Sequence, residues 1–204
     1  MADFKLVCIT NRHFFDDTTD FLNHLDRLAA ARPDLIVLRE KDLSLQAYTE
    51  LAKKVLDICE RHGVVCALHT YVTAAVALKA AAFHAPMSAL NTMTDTEKQS
   101  FKHLGASTHS LKQAHTAEAA GCSYITASHI YDTDCKKGLP GRGLRFLADI
   151  VRQTEIPVYA LGGITPDKLI EVRRAGAAGA CVMSGAMTCA DPMQYLAGLR
   201  QFSN

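Results

Sequence analysis

The sequence predicts an α/β fold, a single compact (β/α)8 TIM barrel spanning residues 1–204. Three observations predict it. Short apolar runs alternate with helix-period segments from end to end. The runs lack polar alternation, as strands covered on both faces of a parallel sheet do. Eight strand-then-helix units follow one another with no switch of pattern in the middle, which favours closure over an open sheet.

In order, the runs are LVCIT (6–10), DLIVLR (34–39), VVCAL (64–68), AAF (81–83), HLGAS (103–107), SYITAS (123–128), PVYALGG (157–163) and AGACVMSG (178–185). Amphipathic segments lie between and after them at 19–31, 44–61, 71–79, 94–101, 110–120, 143–153, 165–175 and 191–202. Ser44 and Ser110 precede helical periodicity as N-caps. Gly63, Gly121 and Gly176 close helices, and Pro166 opens one at its first position. The chain is short against the ~250 residues usual for such barrels, so its loops must be lean. The longest irregular stretch, 129–143, is therefore expected to be functional.

Composition is that of an ordinary globular chain, 49% hydrophobic and 21% charged. A net charge of +1 gives no electrostatic reason to expect nucleic acid or a membrane surface as partner. No apolar run approaches the roughly 18 residues that span a bilayer. The N-terminus lacks a basic region followed by a long apolar stretch and a cleavage site. The seven cysteines show neither CxxC spacing nor an even count. Cys8, Cys66, Cys122 and Cys181 fall in or beside apolar runs, so they read as reduced core residues of a cytoplasmic protein.

In barrels of this kind ligands sit at the carboxyl ends of the strands, and phosphate often binds after the seventh and eighth. Two glycine-bearing strand ends fall there, Leu161-Gly162-Gly163-Ile164 and Met183-Ser184-Gly185. Glycine lets backbone N–H groups approach an anion, and the Ser184 hydroxyl adds a donor. Gly162, Gly163, Ser184 and Gly185 are thus the expected phosphate site. The plainer reading is that Gly162 and Gly163 make a tight turn.

The loop after strand six runs Ser128-His129-Ile130-Tyr131-Asp132-Thr133-Asp134-Cys135-Lys136-Lys137-Gly138-Leu139-Pro140-Gly141-Arg142-Gly143. A histidine at the strand end, followed by hydroxyl, carboxylate and cationic groups, is the composition of a catalytic loop. It resembles the corresponding loop of the thiamine phosphate synthase superfamily, and most of all that of the TenI-type thiazole tautomerases. There a histidine precedes a TDCKKGL segment and a GRG turn. The resemblance extends over nearly the whole chain, through Leu38-Arg39-Glu40-Lys41, Gly105-Ala106-Ser107-Thr108-His109-Ser110, Gly162-Gly163-Ile164 and Met183-Ser184-Gly185.

Departures from the synthases discriminate within the superfamily. The synthases carry Asn-Asp after strand three and a further Asp after strand four, which hold magnesium on a pyrophosphate. Here those positions read His69-Thr70 and His84-Ala85-Pro86-Met87-Ser88-Ala89, and Val37 replaces a glutamine before the LREK motif. Magnesium prefers hard oxygen ligands, and without them a departing pyrophosphate has no visible counter-ion.

The resemblance therefore implies a tautomerase that aromatises a carboxythiazole phosphate by moving one proton, with no metal or other cofactor. His129 takes the catalytic-histidine position, because histidine titrates near neutrality. Thr133, Asp134 and Lys136 border the substrate. Either Arg39 or Lys41 meets its carboxylate. The expected partners are a small thiazole phosphate and further copies of the chain, as a homo-oligomer. The alternatives are thiamine phosphate synthase itself, a magnesium-dependent transferase, and a non-catalytic regulatory relative that kept the barrel.

Of the nine histidines, His13, His24, His62, His103 and His115 read as surface or turn residues, and His109 as holding its loop. His69 and His84 stand at strand ends within reach of the cavity. Zinc is the weaker reading of these histidines, since no HxH or HxxxH pair fixes two ligands on one element. Cys135 reads as a packed loop thiol, because isomerisation needs no covalent intermediate. Lys137 and Arg142 read as solvated, and Tyr131 as packing against the barrel mouth.

Overall fold

The computed structural model describes residues 3–136 and 138–203, apart from the side chains of Cys135, Phe202 and Ser203. Lys137 lies outside the described residues. Eight parallel strands follow in order: β1 (Lys5–Ile9), β2 (Leu35–Leu38), β3 (Cys66–His69), β4 (Ala82–Pro86), β5 (His103–Thr108), β6 (Tyr124–Ser128), β7 (Val158–Leu161) and β8 (Gly179–Val182). Each pairs with its sequence neighbours, and β8 pairs back onto β1 with Cys181 opposite Val7, so the barrel is closed. The expected fold is the observed one.

The unbroken apolar runs reflect burial on both faces. One face fills the barrel interior with Val7, Ile9, Leu35, Val37, Ala67, Ala82, Tyr124 and Cys181. The other meets the helices in a second and larger core, which includes Leu6, Ile36, Leu68, Phe83, Ile125 and Ala160. The interior is uneven. Gly105 lies under the Tyr124 ring, where a Cβ would stand 2.1 Å from Cζ, so its lack of a side chain makes room for that ring.

The punctuation behaves as expected. Ser44 accepts a hydrogen bond from the Ala47 N–H and Ser110 from the Gln113 N–H, each at 3.2 Å. Gly63, Gly121 and Gly176 take left-handed φ angles of 67°, 83° and 91° just past their helices. The differences arise where elements are short. Segment 71–79 is helical only over Val72–Ala77, and 165–175 divides into a 3-10 turn (Pro166–Lys168) and a helix (Leu169–Arg174). The eighth strand stops at Val182. Ser184-Gly185 then opens a helix of its own, Ser184–Thr188, and another short helix, Met87–Leu90, follows β4. One turn of helix is too brief to show a period in sequence.

His24 corrects the expectation of a surface residue. It shares the buried face of helix Thr18–Ala30 with Phe21, Leu25 and Leu28, and its Nε2 donates to the Ala186 carbonyl at 2.7 Å. His62 is likewise partly buried, 3.0 Å from Asp26. Cys8, Cys66, Cys122 and Cys181 are buried free thiols, as expected. Among the described residues no helix is long and apolar enough to cross a membrane.

Candidate active site

The carboxyl ends of the strands gather the polar groups. At β2, a buried latch shapes the LREK turn. Glu40 is 1% exposed. It accepts the Thr10 hydroxyl at 2.6 Å and the Arg12 N–H at 3.1 and 3.2 Å, while the Arg39 N–H donates to Thr10 Oγ1 at 3.0 Å. Burial raises the Glu40 carboxyl above its ordinary value, against the lowering effect of those hydrogen bonds. The latch leaves Arg39 and Lys41, on either side of Glu40, exposed at the mouth. Neither makes an ion pair or side-chain hydrogen bond among the described residues. Desolvation, then Arg39 and Lys136, push the Lys41 ammonium below its usual value, so these three cations share one region.

Sequence reasoning missed Glu40. A carboxylate between two cations reads as a solvated charge, and only the fold brings Thr10 beneath it.

Below the cations lie neutral rings. His69 and His84 face each other across β3 and β4 and stack with centroids 6.0 Å apart. His84 then stacks on Tyr124 and Tyr124 on Tyr159, at 5.5 and 5.1 Å. Both nitrogens of His84 are engaged, Nδ1 with the Tyr124 hydroxyl at 3.0 Å and Nε2 with Ser107 Oγ at 2.9 Å. Burial, then Arg39, lowers the His84 imidazole to about 3. Burial, then His84, Arg39 and Lys41, holds His69 well below its ordinary value. Both are uncharged at neutral pH.

The synthases of the superfamily imply magnesium at these strand ends. The donor set here is imidazole and hydroxyl, from His69, Thr70, His84 and Ser107, with no carboxylate. Such a set does not fit magnesium bridging a pyrophosphate. Among the described residues no group of three or more His, Cys, Asp or Glu side chains is placed to hold a metal ion.

His129 follows β6, joined to Ser128 by a cis peptide bond, and is 7% exposed. Its Nε2 lies 3.2 Å from the Leu139 carbonyl. A carbonyl only accepts, so Nε2 carries the proton and Nδ1 is the bare, basic nitrogen of the neutral ring. The loop that supplies Leu139 is closed at its base. The Arg142 N–H donates to the His129 carbonyl and the Gly143 N–H to the Ile130 carbonyl, at 3.0 and 2.9 Å. Its far wall rests on β7, where Ile130 and Tyr131 donate to the Leu161 and Gly162 carbonyls. His109 holds the same strand end through Ser128 Oγ, 2.9 Å from its Nδ1.

A cavity of about 590 Å³ lies within this loop, with Thr133, Asp134, Lys136 and Leu139 among its lining residues. The structure thus brings Thr133, Asp134 and Lys136 together. His129 and the strand ends do not line that cavity. Tyr131 packs at the mouth as expected, under the Lys168 ammonium and with its hydroxyl on Glu171 at 3.2 Å. Arg142 is exposed and rides on the Phe146 ring. The Cys135 thiol is outside the described side chains.

Gly162 and Gly163 have left-handed φ angles of 105° and 64°, so the tight turn is real. Packing needs them as well. A Cβ on Gly163 would stand 2.4 Å from the Asp132 carbonyl oxygen, and one on Gly162 would collide with His129. No hydrogen bond engages the Gly163 or Ile164 N–H among the described residues. On the adjacent strand the first N–H groups of helix Ser184–Thr188 have no intrahelical partner. Gly185 itself is packed under the Tyr195 hydroxyl.

Comparison with known proteins agrees with this architecture. The profile of a family described as thiamine monophosphate synthase matches residues 6–186. The thiamine-phosphate synthase of Lacticaseibacillus paracasei is 31% identical over 200 residues, covering 98% of this chain and 93% of that protein. The one from Caldivirga maquilingensis is 29% identical over 184 residues, covering 88% and 89%. Among solved structures, thiamine phosphate pyrophosphorylase from Pyrococcus furiosus superposes with a TM-score of 0.82 at 25% identity, covering 98% of this chain and 95% of that one. A match across most of the barrel, together with a relative above 30% identity over nearly its full length, places this chain in the thiamine monophosphate synthase family.

Proposed function

We propose that this member of the family is a thiazole tautomerase. It converts a carboxythiazole phosphate bearing an exocyclic double bond into the aromatic thiazole. The observation that carries the reading is His129, whose Nε2 faces the Leu139 carbonyl and leaves Nδ1 as the proton acceptor, together with ends of β3 and β4 that carry imidazoles, with no metal-holding group placed among the described residues. Nδ1 takes the proton from ring C2 and returns it to the exocyclic carbon, so no atom or electron is lost. Aromatisation drives the step, and the protein supplies position and a proton carrier.

In this reading the phosphate sits on the backbone N–H groups of Gly162 and Gly163 and on Ser184 and Gly185. The unengaged N–H groups at these adjacent strand ends support that placement. Arg39 or Lys41 takes the carboxylate, with Thr133, Asp134 and Lys136 bordering the ring. The deciding assay is conversion of the dihydrothiazole phosphate tautomer, followed as the aromatic product forms, in the presence of a chelator. Turnover insensitive to the chelator is expected; its absence overturns the reading.

A second reading, thiamine-phosphate synthase, is favoured by the names of the relatives. It predicts magnesium-dependent pyrophosphate release when the pyrimidine pyrophosphate and the thiazole phosphate are supplied together. Such release would replace the first reading.

A further inference from the structure

The end of β3 holds a pair that proton transfer leaves without a role. His69 is 2% exposed. Its position, two residues beyond the inward-facing Ala67, turns its ring into the barrel. Its Nδ1 is hydrogen-bonded to the Thr70 hydroxyl. Its Nε2 has no hydrogen-bond partner among the described residues. That nitrogen is not sealed off either, since the one enclosed, unpartnered side-chain atom among them is Arg12 Nε. An inward strand-end ring with a solvent-touched nitrogen is aimed into the mouth.

The backbone there is held in an unusual shape. Thr70 has φ 73°, a left-handed value that a β-branched residue rarely adopts, and the Tyr71 N–H closes a γ-turn onto the His69 carbonyl at 2.8 Å. Strain of this kind survives only where surrounding contacts over-determine it, and it gathers at ligand sites. Those contacts are present. The Tyr48 hydroxyl accepts the His69 N–H at 2.8 Å, and the Tyr71 hydroxyl donates to the Leu43 carbonyl.

We infer that His69 is a specificity residue for a carboxylate on the ligand, donating Nε2–H to it between Arg39 and Lys41, with Thr70 as its positioning residue. With the Thr70 hydroxyl donating to Nδ1, the ring proton stands on Nε2. Arg39 and Lys41 stand close enough to oppose a charge on the ring, so the imidazole serves as a neutral donor beside two cations. In a closed ring of eight strands β3 lies opposite β7. A ligand with phosphate at one end and carboxylate at the other therefore spans the mouth. The ligand's identity rests on the tautomerase reading.

The test is calorimetric binding of the aromatic carboxythiazole phosphate and of its decarboxylated counterpart to the parent protein, His69→Leu, His69→Gln and Thr70→Val. His69→Leu should weaken the carboxylated ligand about 10- to 100-fold, the effect of losing a hydrogen bond to a charged group. It should change the decarboxylated one by less than about threefold. His69→Gln, which keeps a donor, should restore most of the loss, and Thr70→Val should weaken only the carboxylated ligand. Equal losses for both ligands, or none, overturn the role of His69. A parent protein that binds neither compound overturns the thiazole reading itself, and this inference with it.

Discussion

Gly162 lies directly against His129: a Cβ built on the glycine would stand 2.4 Å from the Cβ of the histidine and 2.9 Å from its Cα. The end of β7 is thus the surface that sets where the imidazole stands. Gly162→Ala should push His129 away and strain a backbone at φ 105°. A loss of about 1–3 kcal/mol from overpacking is expected, with kcat falling more than KM. Gly138→Ala is the control. It has a similar φ, 80°, but open space around it, so strain alone should cost about 1 kcal/mol and leave His129 in place. Denaturant unfolding and steady-state kinetics on both variants decide the matter.

His129→Asn should lower tautomerisation by roughly 10²–10⁴ while leaving product affinity almost unchanged, as for loss of general acid–base catalysis. An unaltered rate removes His129 from the chemistry.

Tyr48 is fully buried, donates to the Leu38 carbonyl and accepts the His69 N–H, both at 2.8 Å. Tyr48→Phe leaves both backbone groups unpaired in the core. The expected cost is about 1–3 kcal/mol for each stranded group, an upper figure if the chain relaxes. Chemical denaturation reads it, and an unaffected midpoint would show that water replaces the hydroxyl.

Acid should destabilise the protein through His84. Its folded value lies near 3, whereas the unfolded ring titrates near its ordinary 6.5. Below that value the unfolded chain binds a proton the native state refuses, so stability falls as pH drops and recovers as it rises. The slope from this residue is about 1.4 kcal/mol per pH unit between the two values. His69, also lowered, adds in the same direction. Unfolding free energies measured from pH 7 to pH 5 should show this fall, and His84→Gln should flatten it. A parent curve as flat as the variant's would refute the assignment.

Much of the candidate site was legible because it is local. His129 and its loop, the cations around Glu40, and the paired glycines all stand in short stretches whose chemistry is unusual for a strand end. The Glu40 latch, the Tyr48 bridge and the buried His24 were not legible. Each depends on a partner far along the chain: Thr10, His69 and Ala186 respectively. A polar residue whose partner is distant looks like any solvated one.

The sequence by itself determined a parallel sheet covered on both faces, since eight apolar runs without polar alternation need that cover, and it favoured closure, which the pairing of β8 with β1 then completed. It also determined which chemical groups stand at the strand ends. Tertiary structure alone decided their states. Closure stacks His84 between His69 and Tyr124 and strips it of water, which keeps it neutral. The fold of the loop sets the Leu139 carbonyl against His129 and so selects the nitrogen left basic. Burial and proximity across the chain have no local signature, because they are made by surfaces that meet only when the barrel closes.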